Sequence, residues 1–189
     1  MNLPRPAVFL DRDGTINEDV GYLTDVAALR IYPFATDAIR LLRRAGFAVV
    51  VVTNQGGIAR GLMTRAFVEA THARMAETLA CGGAHIDAWH YCPHHPASVI
   101  EGLSTPCACR KPGTGMAIAA AAALGLDLSR SWVIGDHWRD VQMGQAVGAR
   151  TILLRTGHGR EQEAVRPDGQ QVEAICDNLM AAVRVVLQS

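Results

Sequence analysis

Residues 47–52 read Phe-Ala-Val-Val-Val-Val, a run that no surface element tolerates. Four successive β-branched residues disfavour a helix, and without polar alternation both faces of the strand they form must be covered. A strand buried on both faces belongs to a parallel sheet with helices packed on either side. The rest of the chain repeats the theme. A short buried strand is expected at Ala7–Leu10, then a helical pattern opened by Pro33 and closed by Gly46. Thr64 is suited to cap a helix that ends at Cys81-Gly82-Gly83. Further strands are predicted over 86–91, 132–134, 151–154 and 172–176, and helices over Gly115–Leu124, 141–147 and beyond a capping Asp177. Strand and helix alternating in this way predict an α/β fold, a doubly wound parallel sheet, with residues 1–189 forming one domain.

Composition narrows the function. Hydrophobic residues make up 49% of the chain and charged residues 19%, as in a globular protein. Eighteen basic residues balance eighteen acidic ones, so the broad basic surface of a nucleic-acid binder is not expected. There is no apolar run of ~18 residues and no apolar leader in the first residues, which predicts a soluble cytoplasmic protein without a membrane partner. Monomer is the default expectation for a neutral domain of this kind. Seventeen of the basic residues are arginine and one, Lys111, is lysine. An ammonium does work that a planar guanidinium cannot, which singles out Lys111.

Parallel sheets of this kind bind ligands beyond the carboxyl ends of their strands. Those ends carry Asp11-Arg12-Asp13-Gly14-Thr15, Thr53-Asn54-Gln55-Gly56, Arg110-Lys111-Pro112 and Gly135-Asp136 with Asp140. One Asp-x-Asp-Gly alone is more often a turn, but four polar clusters on one rim form a site. Asp11, Asp13 and Asp136 offer hard oxygen ligands suited to Mg²⁺, and three carboxylates together without a cation would repel. Thr53, Asn54 and Lys111 can hold phosphate oxygens, which points to phosphoryl transfer. Of the paired carboxylates, Asp11 is expected to attack phosphorus and Asp13 to act as general acid and base.

Five cysteines are spread unlike a disulfide framework. Cys92, His94, Cys107 and Cys109 fall within a Pro-rich stretch and suit a tetrahedral structural Zn²⁺, with His95 as a rival ligand. Residues 92–109 are therefore expected to be a zinc-pinned loop that fixes Arg110 and Lys111. Cys81 and Cys176 are expected as small buried hydrophobes, and Trp89, Trp132 and Trp138 as packing residues.

The motifs at residues 11–15, 53–54, 111 and 135–140, in that order, resemble the haloacid dehalogenase (HAD) superfamily of aspartate-dependent phosphatases. The resemblance covers roughly residues 7–155. It implies a HAD-like Rossmannoid fold, a phospho-aspartate on Asp11, and Mg²⁺ held by the Asp11 side chain, the Asp13 backbone carbonyl and Asp136. Asp140 is implied to support a metal-bound water or Lys111. The loop Cys-x-His…Cys-x-Cys-Arg-Lys-Pro further resembles a capless subgroup that contains the heptose bisphosphate and histidinol-phosphate phosphatases. Residues 15–22, 53–61 and 92–96 are similar to the former. That likeness implies a small sugar bisphosphate as substrate, bound by Asp19, Val20, Gly21, Tyr22, Thr53, Asn54, Gln55, Gly56, Arg110 and Lys111. His137 stands where a lysine is usual and is placed with them. By charge, Arg110 is free to fork onto a second phosphate, helped by Arg60.

Two other readings make different demands. Histidinol phosphate, with one phosphate and an amine, gives Arg110 nothing to pair with. A phospho-receiver domain places its acceptor aspartate on a different strand from its acidic pair and has no use for a zinc loop.

Overall fold

The computed structural model describes residues 4–104 and 106–189. The expectation that no targeting segment opens the chain falls partly on 1–3, outside them. Six parallel strands form one sheet: β1 (Ala7–Leu10), β2 (Ala48–Asn54), β3 (Ala88–Cys92), β4 (Trp132–Gly135), β5 (Arg150–Leu154) and β6 (Ala174–Cys176), in the order β3-β2-β1-β4-β5-β6. Chain direction across the sheet reverses at β1, whose Val8 pairs with both Val49 and Trp132. The carboxyl ends of β1 and β4 thus flank the crevice where ligands bind in such sheets.

Alternation along the strands distributes the core. Val8, Leu10, Val49, Val51, Ile134 and Ile152 face α1 (Ala35–Arg44), α2 (Arg65–Cys81) and α6 (Leu179–Leu187). Ala7, Phe9, Val50, Val52 and Val133 face α3 (Gly115–Leu124) and Met143 of α4 (Trp138–Ala146). The valine run is buried throughout, as its sequence requires. Between β1 and α1 the only regular element among the described residues is a three-residue 3₁₀ turn, Val26–Ala28, so the crevice carries no inserted cap.

Several expectations shift at the ends of elements. α4 begins at Trp138, before the expected 141, because His137 and Asp140 close a capping box: the Arg139 amide donates to His137 Nδ1 and the His137 amide to Asp140 Oδ2. The last helix is capped by Asn178, whose Oδ1 accepts from the Ala181 amide at 3.0 Å, while Asp177 pairs with Arg155. β3 starts two residues later than expected, and β6 covers only three residues. The short helix α5 (Gly159–Ala164) was not expected, since its sequence has no apolar stripe. Cys176 is buried but Cys81 is exposed. On α2 the buried positions 68, 72, 75 and 79 form one stripe, and residue 81 lies about 200° round from 79. All three tryptophans pack: Trp132 and Trp138 are buried, and Trp89 packs against the core.

Asp87 ties three elements together. Its carboxylate accepts from Arg5, Arg43 and the Val49 amide, the last at 2.8 Å. Burial raises its pKa, but Arg43, the amide and Arg5 outweigh this and hold it below the usual carboxylate range. A depressed folded pKa gives stability that is present above the unfolded pKa near 4 and lost as pH falls through the folded value. Asp87→Ala is therefore expected to cost about 2 kcal/mol at pH 7 and to flatten the loss of stability below about pH 4. Urea unfolding at pH 7 and pH 3 measures both effects.

Candidate active site

Asp11 follows directly on β1, and its Oδ1 accepts from the Arg12 amide at 2.7 Å. Lys111 Nζ lies 2.9 Å from the same oxygen and 2.6 Å from Asp140 Oδ1, and it donates to the Val52 carbonyl at 2.8 Å. The ammonium is completely buried among these three oxygens. Burial raises the Asp11 carboxyl while Lys111 opposes the rise. Burial likewise lowers the Lys111 ammonium, and here Asp11 and Asp140 prevail and hold it above its ordinary range.

Asp136 follows β4. One oxygen each of Asp11, Asp136 and Asp140 lie within 4.8 Å of one another, all three residues being buried. Burial and the charges of Asp11 and Asp140 push the Asp136 carboxyl up to about 8. A donor set of hard oxygens that resists ionisation in this way fits a divalent cation. Its approach is close: a Cβ at Gly14 or Gly157 would lie 2.2 or 2.1 Å from Asp136 Oδ2, and both glycines have positive φ. The His158 amide donates to the same oxygen at 2.8 Å.

The Asp13 carboxylate turns elsewhere. Arg12 grips it with both edges of its fork, Nε to Oδ1 at 3.0 Å and Nη2 to Oδ2 at 2.8 Å. Asn17 and Gln55 add one hydrogen bond each. Burial raises the Asp13 carboxyl, but Arg12, Asn17 and Gln55 together bring it below its ordinary value. Gln55 also donates to Thr53 Oγ1 at 3.0 Å. The Asn54 amide, expected to face phosphate oxygens, instead exchanges hydrogen bonds with the Lys111 backbone at 3.0 and 3.1 Å.

Above this floor opens a cleft of about 290 Å³. Of the residues expected from the sequence, Asp11, Asp13, Asp19, Gly21, Tyr22, Thr53, Asn54, Gly56 and Arg110 line it. Val20 points to solvent, and Gln55 and Lys111 are buried behind the wall. Arg60 donates to Tyr22 Oη at 2.7 Å and so reaches the cleft through Tyr22. His137 is off the wall as well: it caps α4, and burial and Arg139 lower its pKa to about 4, which leaves it neutral.

A second cluster closes the loop after β3. The Sγ atoms of Cys92, Cys107 and Cys109 lie 3.1 to 3.5 Å apart, and His94 Nδ1 is 3.6 Å from Cys92 Sγ and 3.5 Å from Cys109 Sγ. These are close to the edges of a tetrahedron around an ion with zinc's bond lengths. His95 lies apart from this group, its Nδ1 accepting from the Ala97 amide, its ring on the cleft wall. Arg110 Nη1 donates to the His94 carbonyl at 2.9 Å, which joins the cluster to the cleft.

Comparison with known proteins gives a consistent answer. A family model described as HAD-hydrolase-like matches residues 108–182. A D-glycero-β-D-manno-heptose-1,7-bisphosphate 7-phosphatase of Salmonella typhi is 44% identical over 160 residues, 84% of this chain and 85% of the relative. The D-glycero-D-manno-heptose-1,7-bisphosphate 7-phosphatase of Thermosynechococcus vestitus is 39% identical over 96% of this chain and 95% of its own. The crystal structure of a D,D-heptose 1,7-bisphosphate phosphatase from B. bronchiseptica, complexed with magnesium and phosphate, superposes with a TM-score of 0.84 at 35% identity, covering 97% of this chain and 98% of the other. The chain belongs to the heptose bisphosphate phosphatase family of the HAD superfamily.

This member of the heptose bisphosphate phosphatase family has three further residues on its cleft that sequence pattern did not reveal: His95, Arg139 and His158. Arg139 is the most informative. Among the described residues its side chain makes no hydrogen bond or ion pair, although it is partly buried and lines the cleft. A signal existed: it sits in the first turn of α4, whose side chains lean back toward the helix N-terminus and so toward Asp136. His158 Nε2 faces Asp19 Oδ2 at 3.3 Å, joining the α5 cap to the segment over the cleft.

Proposed function

We propose that the chain removes the C7 phosphate of D-glycero-D-manno-heptose 1,7-bisphosphate and releases heptose 1-phosphate for nucleotide-activated heptose synthesis. The observation that carries this reading is a cleft with a buried Asp11–Lys111–Asp140 array at its floor and two guanidinium groups, Arg110 and Arg139, unpaired with any carboxylate among the described residues. Two such cations lining one cleft call for an anion beyond the reacting phosphate. Histidinol phosphate would bring an amine to them.

In this reading Asp11 Oδ1 is held by the Arg12 amide and Lys111, which leaves Oδ2 to attack phosphorus. The P–O7 bond breaks, and Asp13 gives the departing sugar oxygen a proton. Since Arg12, Asn17 and Gln55 hold the free carboxyl ionised, Asp13 takes that proton up from water as the substrate's negative charge enters the cleft. Asp13 then takes a proton from water as that water attacks the phospho-aspartate, and phosphate leaves with Asp11 restored. Thr53 and the flanking backbone hold the transferred group. Lys111 favours the ionised form of Asp11 against the pull of burial and offsets the charge of Asp140. Mg²⁺ would be held by Asp11, Asp136 and the Asp13 carbonyl, and when bound it neutralises phosphoryl charge. Zn²⁺ on Cys92, His94, Cys107 and Cys109 would be structural. The protein would work as a cytoplasmic monomer.

Lys111→Arg tests the floor. A planar fork cannot fit among three oxygens placed around a point charge, so kcat is expected to fall by about 10²-fold or more. Wild-type kinetics would mean that the lone lysine is an accident of composition. The function itself is tested by Mg²⁺-dependent phosphate release from the α and β heptose 1,7-bisphosphates and histidinol phosphate, assayed in parallel. Preference for one bisphosphate anomer is expected, and preference for histidinol phosphate would overturn the role given to Arg110.

A further inference from the structure

Arg12 sits between the two aspartates of the site, yet it points away from the cleft into the protein. It is 2% exposed, among the largest side chains buried so completely. Its Nε and Nη2 hold both oxygens of Asp13, and its remaining nitrogen, Nη1, meets His72 Nε2 at 3.3 Å. His72 is buried on α2, sixty residues away in sequence, and its ring stacks on Trp89 at 4.8 Å and meets Tyr91 edge-on at 5.9 Å.

The contact has one consistent chemistry. A guanidinium donates and never accepts, so Nε2 is the acceptor, the proton sits on Nδ1, and the ring is neutral. Burial first and then the Arg12 charge drive the His72 pKa down to about 3, which agrees. Among the described residues no other side chain accepts from Nη1. Replacing the imidazole with an apolar group leaves a buried N–H of a charged group unsatisfied, and the guanidinium then has reason to leave its place. Its two bonds to Asp13 go with it.

We propose that His72 and Arg12 form a buried buttress that aims the Asp13 carboxyl, His72 fixing the Arg12 fork and the fork fixing Asp13. This rests on the acid/base role given to Asp13 above. His72 touches neither substrate nor metal in this arrangement, so it is a positioning residue acting across α2. The ground-state contacts to phosphate, from Thr53, Arg110 and the floor, do not pass through it. The defect on its removal is therefore confined to proton transfer.

The test compares His72→Leu with His72→Gln. Leucine fills space without an acceptor, whereas the glutamine amide oxygen can stand where Nε2 stood. On heptose bisphosphate, His72→Leu is expected to lower kcat by about 10- to 100-fold with KM within about twofold, and His72→Gln to recover most of it. A second readout uses 4-nitrophenyl phosphate, whose phenolate leaves without a proton. His72→Leu should keep the rapid burst of nitrophenolate and slow only the later turnover, in which Asp13 must activate water. Equal kcat in the two variants, or a rise in KM with kcat unchanged, overturns the buttress. If the leucine variant does not fold, His72→Asn replaces it: its amide is too short to reach Nη1, so it should be slow where glutamine is not. Asp13→Asn is run beside them. If that variant turns over normally, the acid/base reading itself fails; if it is inactive while His72→Leu is normal, only the buttress fails.

Discussion

Asp11→Asn is expected to lower turnover by about 10⁴-fold or more while leaving the fold intact. An amide has no anionic oxygen to attack phosphorus, so the loss is in the chemical step. Structure is expected to survive because asparagine keeps an oxygen where Oδ1 accepts from the Arg12 amide and faces Lys111. The charge balance at the floor improves in one respect and worsens in another. Removing the Asp11 anion relieves its repulsion of Asp136, whose carboxyl is held up near 8 partly by that charge. It also leaves Lys111 with Asp140 as its one close carboxylate among the described residues. A melting temperature within a few degrees of wild type, together with no phosphate release and no acid-stable ³²P label on the protein, is the outcome that supports Asp11 as the nucleophile. Turnover near wild type would sink the assignment.

The chemistry of the floor was legible in the sequence because it lies at strand ends. A parallel strand delivers its last residue to one rim of the sheet, so Asp11, Thr53 and Asp136 could be placed together without knowing any long-range contact. The Cys92–Cys109 loop was legible for a different reason: three thiols and an imidazole in one short segment have few other uses. Side-chain direction was not legible. Gln55 and Asn54 share a motif with Thr53, yet Gln55 turns to Asp13 and Asn54 to the Lys111 backbone, choices set by neighbours from other parts of the chain. His137 looked like a substrate contact by position, but helix capping claimed its ring and left the cleft wall to Arg139. The pairing of Arg12 with His72 has no local signature, since α2 brings the imidazole in from sixty residues away.

Stripping the metal from the cysteine loop, or replacing Cys92 with Ala, is expected to give the largest loss of stability. Cys92 ends β3 in register with Asn54, and Cys109 immediately precedes Arg110 and Lys111. A metal held by both ends would therefore close the loop 92–109 and fasten the edge of the sheet to the floor of the cleft. Without a cation the cluster is poorly matched to its setting: burial and the neighbouring Cys109 and Cys107 push the Cys92 thiol far above its ordinary value. Structural zinc contributes on the order of 10 kcal/mol in small domains whose folding depends on it. Here a six-stranded sheet stands beside the loop, so a smaller cost is expected, about 3–5 kcal/mol, comparable to losing a disulfide from a small domain. Calorimetry of chelator-treated protein measures it, with metal content read in parallel. Kinetics supply the second arm. The hold of the His94 carbonyl on Arg110 depends on the loop, so KM for the bisphosphate should rise, while the Mg²⁺ concentration for half-activity should not change because Asp11 and Asp136 follow other strands, β1 and β4. Metal-free protein that melts like the holoprotein would remove the loop from the list of structural metal sites. A shift in Mg²⁺ dependence without a change in melting would mean instead that the cluster communicates with the catalytic floor through Lys111.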